Sequence, residues 1–389
     1  MTTTQRIEAF NKGRDPERLS LKLEAMRASA FSFLRGTCHL FYEDLDYAAL
    51  PDAPLTWCSG DLHLQNFGTY KGDNRLTYFD INDFDESCLA PATWDLVRFL
   101  TSIIVAGHTI DLRPALIDTL LDAFLNGYIA ALHKGKPCFL ERETSTGMIG
   151  NLLAKLEKRD RSKFLDSRTT HKNGERRLLL DGKRALPILP EERHLLHAFI
   201  EEFAGTQPRP DFFAFLDAAR RIAGTSSLGL PRYVILVKGR SGDDGNFLLD
   251  LKFHGPAAVA PPVPQPAFPT EAHRVAWVQT NVQAADPALF TPVIMDNRAW
   301  ILRELMPTAD RLEIEHAHKD ADDFTDLVRT LGEVVAWGNL RAAGRKGAAS
   351  PDELIQFGNR QGWTAPLLAH AAVCAERTEQ QFVDFRRNR

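Results

Sequence analysis

The residues with the most chemical potential lie close together, in the stretch WCSGDLHLQNFGTYKGDNRLTYFDINDFDE, residues 57–86. Asp61 follows Gly60 in a tight turn, Asn66 comes five residues later, and Asp80 nineteen residues after Asp61. Asp83, Asp85 and Glu86 follow at once. Phosphoryl transfer to a hydroxyl calls on such a set. One carboxylate orients the acceptor and takes its proton, while an amide oxygen and a second carboxylate hold magnesium against the phosphates. Asp61 is the candidate for the first role. Asn66 and Asp80 are the candidates for the metal, with Asp83 second to Asp80 and Asp85 within the same ambiguity. An acidic surface loop or a calcium site is the alternative, although Asp83-x-Asp85 lacks the further ligands and the glycine of a calcium-hand loop.

Several elements must position these groups. Residues 75–81 alternate and are aromatic enough for a short strand that delivers Asp80 at its end. Asp15-Pro16-Glu17 has the form of a helix start, with Asp as cap and Pro in the first turn. Apolar residues from Leu19 to Leu34 then recur at helical spacing, and residues 38–50 continue as a second helical piece. A largely apolar helix opens near Pro91, with Asp95 and Arg98 as its charged exceptions; another covers 112–133. Residues 155–184 are rich in Lys and Arg around an Asn173-Gly174 hairpin signal. They are a solvated surface or a basic wall for an anionic substrate. Residues 190–221 return to a helical pattern.

At 222 the texture becomes strand, glycine turn, strand, hairpin, strand. GTSSLG, residues 224–229, keeps the outer two glycines of G-x-G-x-x-G with Ser226 in the middle place, a loop whose backbone N–H groups can approach phosphates. It lacks the Lys-Ser/Thr of a Walker loop. Lys252 then stands in an otherwise apolar strand, where a lysine is costly unless an anion pairs it. Residues 256–269 hold six prolines and read as a linker. Helix is expected over 269–285, a hairpin turning at Asp296-Asn297 over 293–306, an amphipathic helix over 322–341, and two more helical pieces after 348.

Composition sets outer limits. The chain has 389 residues, 44% hydrophobic and 25% charged, with a net charge of −4. That is the balance of a globular protein of two or three lobes, without global attraction to nucleic acid or an anionic membrane. No run reads as long enough to span a bilayer, and the N-terminus lacks an apolar signal core. Five widely spaced cysteines suggest neither zinc nor a disulfide framework, so a cytoplasmic location is expected.

GDLHLQN resembles the catalytic loop of aminoglycoside phosphotransferases and choline kinases, with Ser59 where those enzymes carry His; YFDIND resembles the strand and metal-binding Asp that follow. More of the chain resembles the bacterial family called domain of unknown function 2252, through FSFLRGT (31–37), GDLHLQNFG (60–68), FDINDFDES (79–87) and PATWDLVRF (91–99). The kinase resemblance implies that Asp95 braces the catalytic loop and that Lys252, Gly224, Ser226 and Gly229 hold ATP phosphates. It further implies that Glu304 and Met306 belong to a hinge that holds adenine through backbone groups. Glu271 is the sole carboxylate available on the helix that pairs the lysine in kinases.

An ordinary kinase runs from glycine loop to lysine strand, helix, hinge and only then the catalytic loop. Here the catalytic loop comes first. The expected fold is therefore α+β, a protein-kinase-like two-lobe fold in circularly permuted order. Residues 1–221 would form a helical lobe with the catalytic loop, 222–310 an antiparallel nucleotide-binding sheet, and 311–389 helices completing the first lobe. The expected activity is ATP- and magnesium-dependent phosphoryl transfer to a hydroxyl of a small molecule or protein, an anionic one if residues 155–184 form the basic wall. The rivals are a non-catalytic nucleotide-binding scaffold and a nucleotidyl transferase on the same fold.

Overall fold

Alternation along the strands decides how the middle of the chain packs. In the computed structural model, which describes residues 1–240, 242, 245–259, 263–305 and 320–387, six antiparallel strands form one sheet. Their order is Thr291–Met295, Arg298–Glu304, Phe247–Phe253, Arg232–Val237, Phe215–Arg221 and Ala185–Leu186. Tyr233, Ile235, Val237, Leu249, Leu251, Trp300 and Leu302 bury on one face, with Leu196, Phe199, Ile200 and Phe203 of the helix Pro190–Gly205. The two-residue period sends Arg232, Asp250 and Lys252 to the opposite face. The hairpin turn at Asp296-Asn297 takes positive φ at both residues, 51° and 54°. That backbone twist matches the right-handed twist of the flanking strands.

The sheet begins earlier than the change of texture at 222 suggests. The helix expected over 190–221 stops at Gly205, and Phe215–Arg221 is a strand paired with Arg232–Val237. The apolar run around Phe212–Leu216 carries no clear period, so its helical reading lost to tertiary pairing. The Asn173-Gly174 hairpin joins Thr169–Lys172 to Glu175–Leu178.

Helices from both chain ends share the main core: Ala30–Gly36, Thr93–Thr109, Pro114–Lys134, Ala321–Ala342, Pro351–Asn359 and Thr364–Arg387. The architecture is thus α+β. Pro114–Lys134 and Ala321–Ala342 touch backbone to backbone: a Cβ on Gly127 would lie 2.0 Å from the Arg329 carbonyl oxygen, and one on Gly332 2.1 Å from that of Phe124. Among the described helices Pro114–Lys134 is long and apolar enough to cross a membrane, contrary to expectation; more than half of that apolar window is buried inside the fold. The piece expected over 38–50 splits into Cys38–Glu43 and a single turn at Tyr47–Ala49.

Two small strand pairs frame residues 57–86. Leu55–Cys58 pairs with Cys88–Pro91, setting Cys58 opposite Cys88 and closing the whole stretch at its base. Within it, Phe67–Lys71 pairs with Thr77–Ile81. The helix Glu271–Val282 is shorter than the expected 269–285. It joins the main core through Ala272, Val275 and Val278 and runs beside the Thr291–Met295 and Arg298–Glu304 strands.

Candidate functional site

The catalytic-loop candidate is held from beneath. Asp95 lies in the first turn of Thr93–Thr109, and its carboxylate accepts hydrogen bonds from the Ser59 N–H (2.6 Å) and the Gly60 N–H (2.9 Å). Burial pushes the Asp95 carboxyl up to about 6 against the pull of these donors. Gly60 has φ of 82°, and a Cβ there would lie 2.0 Å from the Glu86 carbonyl oxygen. Only glycine permits both the left-handed turn and that approach.

Asp61 emerges from this turn onto Arg98, one helical turn past Asp95. Arg98 donates through Nη2 (2.6 Å) and Nε (3.2 Å) to Asp61 Oδ1, and its guanidinium lies over the Phe41 ring. Burial raises the Asp61 carboxyl, and Arg98 opposes that rise. The Asp61 side chain keeps 11% exposure, and the Asp83 carboxylate adds to the rise of its carboxyl. Asn66 donates through Nδ2 to the carbonyls of Asp61 (3.1 Å) and Asp83 (3.3 Å), tying the loop to the acidic segment.

The far end of the same acidic stretch meets Lys252. Its ammonium forms a short ion pair with Asp85 and lies 3.7 Å from Asp83 Oδ1. His254 Nδ1 is 3.2 Å from the other Asp85 oxygen. Burial would raise the Asp85 carboxyl, but Lys252 and then His254 hold it well below the usual range. A cavity of about 40 Å³ joins Asp83, Asp85, Lys252, Gly224, Ser227 and Arg303. Three separate segments of sequence therefore meet here: the acidic stretch, the lysine strand and the glycine loop.

That glycine loop is anchored from the other side. Arg14 donates to the carbonyls of Ser226 (2.8 Å) and Leu228 (3.0 Å), and Lys22, wholly buried, donates to Ser226 O (2.9 Å). The Asp15 N–H donates to Gly229 O (2.9 Å). Burial lowers Arg14 to about 10 and Lys22 well below its ordinary value. The N-terminal segment thus anchors the glycine loop through Arg14, Asp15 and Lys22.

Asp80 does not join this group. It is 1% exposed; its Oδ2 accepts from Arg341 (3.0 Å) and the Ala284 N–H (3.2 Å), and its Oδ1 from the Ile81 N–H. Asp80 still lies within the Thr77–Ile81 strand and points toward Arg341 of the helix Ala321–Ala342. Asp83 and Asp85 lie beyond the strand end and reach the cleft. The carboxylates facing Lys252 are therefore these two, and Glu271 pairs with Arg274 instead. The helix Glu271–Val282 offers the cavity Val275 and Gln279. Glu304 lines a second cavity, of about 460 Å³, with Leu248 and Leu305. Met306 lies outside the described residues.

Sequence reasoning passed over Arg232, Arg303 and His254 as site residues, and saw Arg98 as a charged exception without a partner. For the arginines the available signal is a charge in an apolar helix or strand; His254 directly follows the strand that carries Lys252.

Glu86 gives this region a pH dependence. Burial pushes its carboxyl up to about 7, above its ordinary 4.5, against a hydrogen bond from the Ala258 N–H. A folded-state value above the unfolded one favours folding while the carboxyl is protonated. That contribution is present below about 4.5 and lost as pH rises through about 7. Glu86→Gln cannot titrate, so its stability relative to wild type is expected to improve as pH rises from 4.5 to 7. Urea denaturation across that range checks this; a pH-independent difference would contradict it.

Residues 14–388 match the family described as Uncharacterized protein conserved in bacteria (DUF2252), and the chain belongs to that family. No curated protein and no solved structure matches it.

Proposed function

We propose that this member of the domain of unknown function 2252 family is an ATP-dependent phosphotransferase with a protein-kinase-like fold in circularly permuted order, acting on a hydroxyl of a small molecule or protein. One observation carries the reading: Lys252 of the sheet meets Asp83 and Asp85 of the acidic stretch in a cavity that the glycine loop also lines. An isolated acidic loop has no reason to sit under a lysine strand and a glycine turn.

The order of parts supports the fold half of the proposal. Residues 224–229 connect the strands Phe215–Arg221 and Arg232–Val237, the lysine strand pairs next, the helix Glu271–Val282 follows, and a hairpin ends at Glu304. That is the succession of glycine loop, lysine strand, helix and hinge. Both chain ends then complete the helical body that carries residues 59–66.

The donor set fits magnesium. Asp83 and Asp85 offer hard carboxylate oxygens, with Asn66 bonded to the Asp83 backbone beside them. Magnesium is commonly held by one or two carboxylates, with phosphates and water filling its other positions. When bound there it would neutralise charge on the phosphates. Lys252 would hold the phosphates from the sheet side. Asp61, fixed by Arg98 and by the braced loop, would orient the acceptor hydroxyl and accept its proton. The larger cavity suits the base. Leu248 lies four strand residues from Lys252, about 13 Å, a separation that a nucleotide spans.

Calorimetry tests the binding half. Wild type is expected to bind ATP only with magnesium, and Lys252→Met to lose about tenfold or more of that affinity, the value of a charge-assisted contact. Equal affinity in the two proteins would count against the phosphate role of Lys252.

Nucleotidyl transfer, with ATP reversed, is a second reading. Arg221, Arg232 and Arg303 favour it, because they extend positive charge beyond Lys252 around Asp250. The mass added to the product separates the two.

A further inference from the structure

The cleft face of the sheet carries more positive charge than its own carboxylates balance. Asp250 is fully buried in the strand Phe247–Phe253, and three guanidiniums converge on it: Arg221 (2.6 Å), Arg232 (2.6 Å) and Arg303 (3.1 Å). One carboxylate neutralises one guanidinium. Asp83 and Asp85 across the small cavity offset part of the remaining charge but also pair Lys252, so the cluster keeps an excess of positive charge in a partly buried region, where it is costly. Arg221 registers this crowding: burial and then Arg232 push it down to about 9. Arg232 and Arg303 both line the small cavity beside Lys252, and the Arg303 side chain keeps 28% exposure. Asp250 and Lys252 lie on the same face of one strand, and Arg232 stands opposite Lys252 on the neighbouring strand, so the guanidiniums adjoin the lysine.

We propose that Arg232 and Arg303, braced by Asp250, bind a phosphate group of the ligand beside Lys252. The inference rests on the reading above for the role of Lys252. Asp250 has the part of a clamp: it takes both the Nε and the Nη2 of Arg232, fixing that guanidinium's plane at the cavity wall. The phosphate has two chemical sources, the nucleotide's own chain or a phosphorylated acceptor.

The test uses the full chain and the variants Arg303→Ala and Arg303→Lys. Arg303 is the most exposed of the three, and its loss leaves Asp250 with two guanidinium partners, so the fold is expected to persist with an unchanged or raised melting temperature. Calorimetry is run with inorganic tripolyphosphate, magnesium–ATP, adenosine, and inorganic phosphate added to the magnesium–ATP complex. Arg303→Ala is expected to weaken tripolyphosphate by about tenfold or more, with partial recovery in Arg303→Lys and no change for adenosine. A parallel loss for magnesium–ATP assigns the site to the nucleotide's phosphates. Unchanged magnesium–ATP with lost inorganic phosphate assigns it to the acceptor. Tripolyphosphate binding that depends on Arg303, in a protein that binds no ATP, would sink the nucleotide reading and leave this inference standing. Wild-type ATP binding with every anion unaffected by Arg303→Ala would overturn the inference alone.

Discussion

Asp61→Asn is expected to lower turnover by about 10²–10⁴-fold, the usual worth of a positioned general base, while leaving magnesium–ATP affinity nearly unchanged. The expectation follows from where Asp61 sits. Its carboxylate meets Arg98, whereas Lys252 meets Asp83 and Asp85. Asparagine keeps the size and a hydrogen-bond acceptor for Arg98, and the Asp95 bonds that brace the Ser59–Gly60 turn do not involve Asp61; the buried Arg98 loses its counter-charge, which lowers fold stability, so binding and turnover are compared on folded protein. A loss in turnover without a loss in binding marks an interaction used in the transition state. The measurement pairs calorimetry with ATP consumption in the presence of a substrate pool such as cell extract. Wild-type turnover in Asp61→Asn would remove Asp61 from the mechanism and favour the non-catalytic scaffold.

Asp85→Ala is expected to destabilise the fold by about 3 kcal/mol, the lower end of the cost of orphaning a buried charge. Lys252 is 8% exposed at its side chain and has Asp85 as its short-range partner; Asp83, at 3.7 Å and 44% exposed, compensates in part. The double variant Asp85→Ala/Lys252→Met is expected to recover most of the loss, because it removes both charges together. The pair also has a pH signature. The Asp85 carboxyl titrates well below its ordinary 3.8 in the folded protein. Its contribution is therefore present above about pH 4 and fades as acid is added below that. Urea denaturation of the three variants and wild type gives the coupling directly. Additive losses would mean that Lys252 and Asp85 are not partnered in solution.

Much of this arrangement was legible from local chemistry. The Gly60-Asp61 turn, the short strand ending at Ile81, the Asn173-Gly174 and Asp296-Asn297 hairpins and the Asp15-Pro16 helix start each depend on a few adjacent residues. Asp95 beneath the loop followed from resemblance, and its hydrogen bonds are there. What stayed hidden depends on residues far apart in the chain. Asp80, Asp83 and Asp85 are indistinguishable by type. Only the end of the pairing with Phe67–Lys71 turns Asp80 inward to Arg341, 261 residues away, and leaves the other two for Lys252. The three arginines on Asp250 come from three strands, so no single window displays them. Phe215–Arg221 carries no decisive period of its own and becomes a strand because Arg232–Val237 offers it an edge.

The most direct measurement is a crystal structure of the full chain with a non-hydrolysable ATP analogue and magnesium. The account predicts the phosphates between Lys252 and the Asp83–Asp85 pair, with magnesium on those carboxylates, the Lys252–Asp85 ion pair opened, and Asp61 facing the open side of the cleft. A nucleotide bound elsewhere, with Lys252 still closed on Asp85, would contradict it.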